Sequence, residues 1–215
     1  MDTRTAVEVT ITAPVVSFRN PLYASVQVCL PCPPPSTVGG LLAAAAGGWP
    51  QIDPGLRFAM AFHARGQGVD LETYHPLDAS GKLADPTPRD REFLADVQLT
   101  IWIIDDPDLW YRRLRRPVWA LRLGRSQDLV GIHTRVVTLI GQPGRQASGI
   151  LPFPVASQGL RLRLPTAVSA DRAHSRWDDY RFDPTGRAAA PALEGWSDPD
   201  GHAVVPLPPT HPNHT

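Results

Sequence analysis

The chain has 215 residues, 42% of them hydrophobic, which is enough to bury a core as one large domain or as one domain with an appendage. The formal net charge of +0 excludes a strong overall field for nucleic acid, and 24 prolines with 17 glycines argue against long helices. The only cysteines, Cys29 and Cys32, lack the second pair that a structural zinc site needs. We therefore predict no metal site and no cofactor.

Alternation of apolar and polar residues predicts the first strand at residues 7–12. The loop that follows carries several candidate RNA contacts, namely Phe18, Arg19, Asn20 and Tyr23, with Gln27 on the same stretch. Arg19 is suited to hold a phosphate and Phe18 to stack on a base. The alternatives are a surface arginine and a core phenylalanine.

A proline-rich corner at residues 31–35 leads into an uncharged helix predicted at residues 38–46. Ser36 or Thr37 is the expected N-cap, and Gly47 with Gly48 is expected to end the helix. The small residues, Gly39 among them, let a neighbour approach closely. The helix start offers free N–H groups and a positive dipole end, which suit a phosphate, although a rigid corner packed in the core is the more common reason for such a sequence.

A second strand is predicted at residues 56–62, after which the alternation fails. Residues 64–91 are rich in glycine, proline and aspartate and predict a long protruding hairpin or loop with one weak strand at 69–75. The strongest strand is at residues 97–104. Asp108 then starts a helix, which Pro117 closes.

Six arginines and no acidic residue occupy the stretch from Arg112 to Arg125, the clearest basic patch of the chain. Gly124 permits a tight turn in which Arg125 and Ser126 present hydrogen-bond donors. A solvated helix face is an equally good explanation for the patch. The last clear strand is predicted at residues 133–140.

Beyond Gly141 the composition shifts to glycine, proline, aspartate and serine, with strands expected only at residues 160–164 and 203–207 and a frayed tail at 208–215. We predict a domain at residues 1–145 and an irregular C-terminal appendage at 146–215. The order of elements predicts an α+β, ferredoxin-like (RRM-like) domain. The aromatic signature of a standard RNA recognition motif is absent from the sequence.

Four segments together resemble the CRISPR-associated protein 5 family: residues 17–21, 33–42, 88–94 and 123–129. The proline-serine-threonine motif and the Leu123-Gly124-Arg125 turn, in this order, are the most specific of them. Members of this family cap one end of type I Cascade complexes. The resemblance covers about residues 5–140, and the overall length is most similar to the type I-B branch.

The resemblance implies a ferredoxin-like domain with a thumb at about residues 64–91 that binds the 5′ handle of the guide RNA in antiviral defence. It also implies contacts with the Cascade backbone subunit, the large subunit and, within the complex, target DNA. The residues expected to contact RNA are Phe18, Arg19, Asn20, Tyr23, Ser36, Thr37, Gly39, Gly124, Arg125 and Ser126. No apolar run has membrane length, so we expect a cytoplasmic protein without membrane contact.

Two alternatives to this non-catalytic role remain open. One branch of the family cleaves its own guide precursor, and a metal-independent endoribonuclease would need a general base and a cation, for which Tyr23, Lys82 and His133 are the candidates. These residues are far apart in sequence. The other alternative is a ferredoxin-like module that binds only protein.

Overall fold

A computed structural model describes residues 2–23, 28–75, 80–82 and 85–215. The α-helices in these residues are α1, Pro35–Ala46, and α2, Pro107–Arg115. The strands in the same residues are β1 Thr3–Val16, β2 Phe58–Tyr74, β3 Thr87–Ile103, β4 Gly131–Ile140, β5 Leu151–Pro152, β6 Leu160–Val168, β7 Ser175–Phe182, β8 Trp196–Ser197 and β9 Ala203–Val204.

The strands form two antiparallel sheets. The larger sheet has the order β2-β3-β1-β4-β8-β9, and the smaller has the order β5-β7-β6. Up to β4 the elements follow one another as β-α-β-β-α-β. The predicted mixture of helices with an antiparallel sheet is confirmed.

The alternation in β1 places its residues on opposite faces of the sheet. Val7, Val9 and Ile11 are fully buried in the main core, which also contains the apolar residues of both helices. Glu8 and Thr10 lie on the second face, where Glu8 accepts a hydrogen bond from Trp102 Nε1 at 3.2 Å. One strand therefore supplies both an apolar face under the helices and a polar face opposite them.

Helix α1 begins differently from the prediction. Pro34 is the N-cap, no side chain caps the helix, and Ser36 and Thr37 belong to its first turn. The prediction of a serine or threonine cap was wrong, because the fixed φ of Pro35 already starts the helix at the first position. The predicted end is confirmed, since Gly47 adopts the left-handed conformation with φ 96°.

Strands β2 and β3 form a long hairpin whose pairing skips Arg65 and Asp96 and otherwise extends out to Tyr74 and Thr87, and its outer part, at about residues 64–91, is the thumb. The prediction of a protruding hairpin is confirmed, but the predicted end of the strand at residue 62 was wrong. The outer part of the thumb is exposed on both faces, so its strands need no apolar alternation, and backbone pairing with β3 defines them instead. Residues 76–79 and 83–84 of the predicted excursion lie outside the described residues.

The C-terminal region contains more strand than predicted, because Ser175–Phe182 forms the central strand of the smaller sheet. Tyr180 and Phe182 on this strand are buried in the main core with the residues of the larger sheet. The division into domains at 145/146 stays a prediction, and the core is shared across that point.

The predicted frayed tail is instead docked onto the body of the protein. Arg176 donates hydrogen bonds to the carbonyl oxygens of Pro209 and His214, and Thr210 is buried. These contacts join residues more than 30 positions apart, so composition alone did not reveal them.

Residues after β4 cross the second face of the sheet. Phe62 N–H donates to Ser148 O at 3.0 Å and Ile150 N–H to Met60 O at 3.0 Å, which brings this segment to the free edge of β2. A polar cavity of about 590 Å³ lies between the crossing segment and the sheet. No α-helix among the described residues is long and apolar enough to span a membrane.

Candidate nucleic-acid interface

A cleft of about 300 Å³ lies where the thumb joins the sheet. We call it the hairpin cleft. It is bounded by the end of β1, by the segment before the proline-rich corner and by the base of the thumb, and its lining includes Ser17, Phe18, Cys29, Leu30, Pro31, Gly68, Glu92 and Phe93. The proline-rich corner and the start of α1 follow directly from this lining.

Ser17 and Glu92 hold the walls of the hairpin cleft together. Ser17 Oγ donates to the carbonyl oxygen of Glu92 at 2.8 Å, and the carboxylate of Glu92 accepts from Cys29 N–H at 3.3 Å. Leu30 N–H also donates to Phe18 O at 2.7 Å. Hydrogen bonds therefore join three segments around the hairpin cleft, namely residues 17–18, residues 29–30 and Glu92 of strand β3.

Arg19 and Asn20 lie next to the hairpin cleft on the short ladder formed by residues 18–20 and 28–30, and Tyr23 lies in the turn that follows Asn20. The Arg19 side chain is exposed and donates to Tyr23 O at 3.4 Å. Asn20 accepts a hydrogen bond from Leu22 N–H through its side chain, which shapes the turn. Tyr23 is 48% exposed. Gln27 lies outside the described residues.

Phe18 does not present its ring as a base-stacking surface. It is only 3% exposed and makes an edge contact with Phe62 at a centroid distance of 5.8 Å. This corrects the expectation that a base stacks on it. Phe18 follows the apolar face of β1 into the main core, where burial of an aromatic ring is strongly favoured.

The Gly124 turn packs directly against the segment that follows β1. Gly124 has φ 95°, and a Cβ there would lie 2.7 Å from Ser17 O, so the close approach depends on glycine. Ser126 is exposed at the tip of the same turn. The turn and the Arg19 segment thus form one continuous surface.

Arg125 is occupied by an intramolecular ion pair. Its Nε lies 3.0 Å and its second guanidinium nitrogen 3.0 Å from the nearly buried carboxylate of Asp128, which also accepts the Arg125 N–H. The hydrogen bond that Arg125 donates to Asp128 raises the pKa of Arg125, and the charges of Glu72 and Asp70 of the thumb add to the effect. Two of the three guanidinium nitrogens of Arg125 therefore already face a carboxylate, and the expected RNA contact by Arg125 stays a prediction.

At the start of α1, one backbone N–H lacks an acceptor among the described residues, and the space beside one glycine is already filled. Ser36 N–H has no acceptor within the described residues, and the side chains of Ser36 and Thr37 are half-buried. Gly39 is instead filled by the C-terminal segment, since a Cβ there would lie 2.2 Å from Thr210 Oγ1. The expected close approach at this helix is made by Thr210, and Gly39 is not open to RNA.

A family model described as "CRISPR-associated protein (Cas_Cas5)" matches residues 6–189. The chain belongs to the Cas5 family of CRISPR-associated proteins. The match covers all of the hairpin cleft and also most of the C-terminal region that sequence reasoning left unaligned. Among the curated proteins, none matches this Cas5 sequence.

Several solved structures share this fold. A chain of a "CRISPR RNA-guided surveillance complex" is 18% identical with a TM-score of 0.56, covering 97% of this chain and 96% of the other. A chain of a type III-B Cmr-beta complex, bound to cognate target RNA and AMPPnP, is 9% identical with a TM-score of 0.59 and covers 86% of each chain. A CRISPR protein from Archaeoglobus fulgidus is 13% identical with a TM-score of 0.50, covering 94% of this chain and 99% of the other.

Of the candidates for ribonuclease chemistry, His133 lies at two cavities formed by the described residues of this Cas5 chain. His133 lines the polar cavity on the second face of the sheet and a smaller groove beside Tyr111 and Arg115. Neither lining includes Tyr23 or Lys82. Among the described residues, these three side chains therefore form no single pocket.

Sequence reasoning missed the residues that hold the hairpin cleft, the Gly124 turn and the start of α1 in place. Asp128 had a readable signal, because it follows Arg125 by three positions across a glycine turn. Glu92 and Thr210 had no such signal. Their partners, Cys29 and Gly39, lie far away in the sequence.

Proposed function

We propose that this chain is a non-catalytic subunit of a CRISPR effector complex that binds the 5′ handle of the guide RNA at the hairpin cleft. The observation that carries the proposal is the hairpin cleft itself, a hydrogen-bonded cavity flanked by exposed Arg19 in a chain of the Cas5 family. The solved structures with this fold include one in an RNA-guided surveillance complex and one bound to target RNA.

We also propose that the β-α-β-β-α-β unit is a ferredoxin-like, RRM-like frame. The strand order β2-β3-β1-β4, with every neighbour antiparallel, supports this classification. In this proposal the complex is a type I Cascade of the I-B branch. The chain contacts its backbone subunit and large subunit, and target DNA is bound within the assembly.

The chemistry of the hairpin cleft favours backbone contacts with a bent single strand. Arg19 supplies charge, Ser126 and the Ser36 amide supply neutral donors, and the side chain of Tyr23 is accessible for contact with a base. Contacts of this kind to phosphate fix the position of RNA and carry little sequence information. Arg125 stabilises the turn that presents Ser126.

The test is retention of guide RNA by the complex expressed with its partner subunits. Arg19→Glu should lower guide occupancy severalfold and reduce the salt dependence of handle binding, because one phosphate contact is lost. Arg187→Glu is the control, since Arg187 is exposed and lies far along the chain from the cleft. Wild-type occupancy in Arg19→Glu combined with Ser36→Ala and Thr37→Ala would show that the handle is held elsewhere.

The endoribonuclease remains the alternative function. The observation that favours an endoribonuclease is that the exposed His133 lines two cavities, one of which is also lined by Tyr111 and Arg115. Incubation of the isolated chain with repeat RNA in EDTA tests it. Cleavage that is abolished by His133→Ala would support the enzyme and contradict a purely non-catalytic role.

A further inference from the structure

The six arginines between Arg112 and Arg125 divide into two groups in the structure. Arg125 is paired with Asp128, and Arg113 donates to Gln51 O and lies over the Trp110 ring. The other four, Arg112, Arg115, Arg116 and Arg122, are exposed and make no ion pair within the described residues, and the last three of them are the nearest in sequence to Trp119.

A tryptophan lies in the middle of the unpaired arginines. Trp119 is 56% exposed and is three residues from both Arg116 and Arg122, so each arginine backbone is within about 10 Å along the chain. We call Arg115, Arg116, Trp119 and Arg122 the Arg–Trp patch. The neighbouring Val118 is 61% exposed, so two adjacent large apolar side chains face solvent among the arginines. An exposed indole flanked by guanidinium groups has the chemistry to stack on an unpaired base.

The backbone beneath the Arg–Trp patch is fixed. Val118 N–H donates to Ala45 O at 3.1 Å and Trp119 N–H to Ala44 O at 3.3 Å, so this segment closes the C-terminal end of α1. The Arg115 guanidinium lies over the Tyr111 ring and donates to its hydroxyl, which orients the charge without neutralising it. The indole is therefore presented on rigid backbone, and little ordering is needed when a ligand binds.

A favourable interaction with the dipole of helix α2 explains only some of the exposed arginines. Arginines in the last turn complement the helix dipole, and Arg115 is in that turn. Arg116 follows the last helical residue, and Arg122 lies on a separate small hairpin opposite Leu129. The dipole effect falls off within one turn, so it gives no reason for Arg122.

We propose that the Arg–Trp patch binds single-stranded nucleic acid without sequence preference, as a second surface distinct from the hairpin cleft. The guanidinium groups neutralise phosphates and an unpaired base stacks on the indole of Trp119. The patch has no side-chain acceptor for the proton of a 2′-hydroxyl, so RNA and DNA strands of the same sequence bind alike. A duplex binds less well because its bases are already stacked.

The charge distribution favours nucleic acid over protein as the ligand. Tryptophan and arginine are also frequent hot-spot residues in protein interfaces. A protein partner here would have to carry a matching acidic surface, because the stretch from Arg112 to Arg125 contains no acid to pair with basic residues of the partner. A polyanion meets this requirement with its backbone alone.

The experiment measures binding of fluorescent dT20, U20 and a 20-base-pair duplex to the full chain across a range of salt concentrations. Arg116→Gln with Arg122→Gln should weaken dT20 binding about tenfold or more and make the slope of log K against log salt shallower by about 1.4, the value for two phosphates. Trp119→Ala should weaken binding about 5- to 150-fold with the slope unchanged, and Trp119→Phe should retain most of the affinity.

The control is Arg163→Gln with Arg187→Gln, which removes the same charge from two exposed arginines outside the patch. It should bind dT20 as the wild type does. Patch variants should also keep guide RNA in the assembled complex, which separates this surface from the proposed handle site. Equal losses in the control, unaltered dT20 binding by both patch variants, or loss of a partner subunit without loss of dT20 binding would each overturn the proposal.

Discussion

Arg122 and Arg125 lie three residues apart on one small hairpin, yet they have different surroundings. Arg125 is held by the nearly buried carboxylate of Asp128, whereas Arg122 is exposed and opposite the exposed Leu129. The first arginine stabilises a turn, and the second leaves its charge available to a ligand. A count of basic residues in a sequence therefore overstates the charge that a nucleic acid meets.

The largest expected effect follows from removing the paired arginine. Arg125→Gln leaves the carboxylate of Asp128, which is 4% exposed, without its ion-pair partner. We expect a loss of about 2–3 kcal/mol in the free energy of unfolding, less than for a fully buried pair because Arg125 is partly solvated. Urea denaturation of the full chain measures it.

Arg122→Gln is the matched variant for this measurement. It should change the free energy of unfolding by no more than about 0.5 kcal/mol, as substitutions at exposed positions do. Equal losses in the two variants would contradict the distinction between a structural and an available arginine.

Two adjacent glycines in α1 extend the comparison from charge to packing. A Cβ at Gly39 would lie 2.2 Å from Thr210 Oγ1, whereas a Cβ at Gly40 would meet nothing within 4 Å. We expect Gly39→Ala to destabilise the fold by about 1–3 kcal/mol through overpacking, and Gly40→Ala to stabilise it by about 0.5–1 kcal/mol through helix propensity.

Thermal unfolding of both variants measures these changes, and guide retention adds a functional readout. If Gly40→Ala raises the melting temperature but releases guide RNA, the open position is used by the ligand. A melting temperature for Gly39→Ala equal to that of the wild type would show that Thr210 does not pack against this helix in solution.

The smallest expected effect concerns an ion pair in which one partner titrates near neutral pH. Burial opposes ionisation of Asp198, but hydrogen bonds from the His202 ring and backbone outweigh it and lower its pKa. The hydrogen bond that the His202 ring donates to Asp198 in turn raises the pKa of His202. Arg125–Asp128 has no such dependence near neutral pH, because arginine stays charged.

The sign of the pH effect follows from both shifts. The contribution of Asp198 to the free energy of unfolding is present above its ordinary pKa near 4 and is lost on acidification. The contribution of His202 is present below its ordinary pKa of about 6.5 and is lost as the pH rises through its raised pKa. His202→Gln should therefore reduce stability most near pH 5, by less than about 1 kcal/mol because the ring is half-exposed. If His202→Gln lowers the free energy of unfolding by the same amount from pH 4 to 9, the Asp198–His202 ion pair does not contribute to stability.

Local patterns predicted the parts of the fold that depend on neighbours in sequence. The alternation of Val7, Val9 and Ile11 gave the buried face of β1, and Gly47 gave the end of α1. The order of strands and helices up to β4 was also predictable, because periodicity and turn residues report backbone geometry over a few positions. The resemblance to the Cas5 family depended on the same local motifs.

Only the tertiary structure decided which of those residues can be reached by a ligand. Phe18 is covered by Phe62 and Gly39 by Thr210, and both partners are distant in sequence. Strand β7 and the docked tail depend on pairing with β6 and on Arg176. The sequence by itself determined where the chain turns and which faces are apolar, since these follow from single residues and short periods. Availability to a ligand depends on what packs from elsewhere, and only long-range burial and pairing determine that.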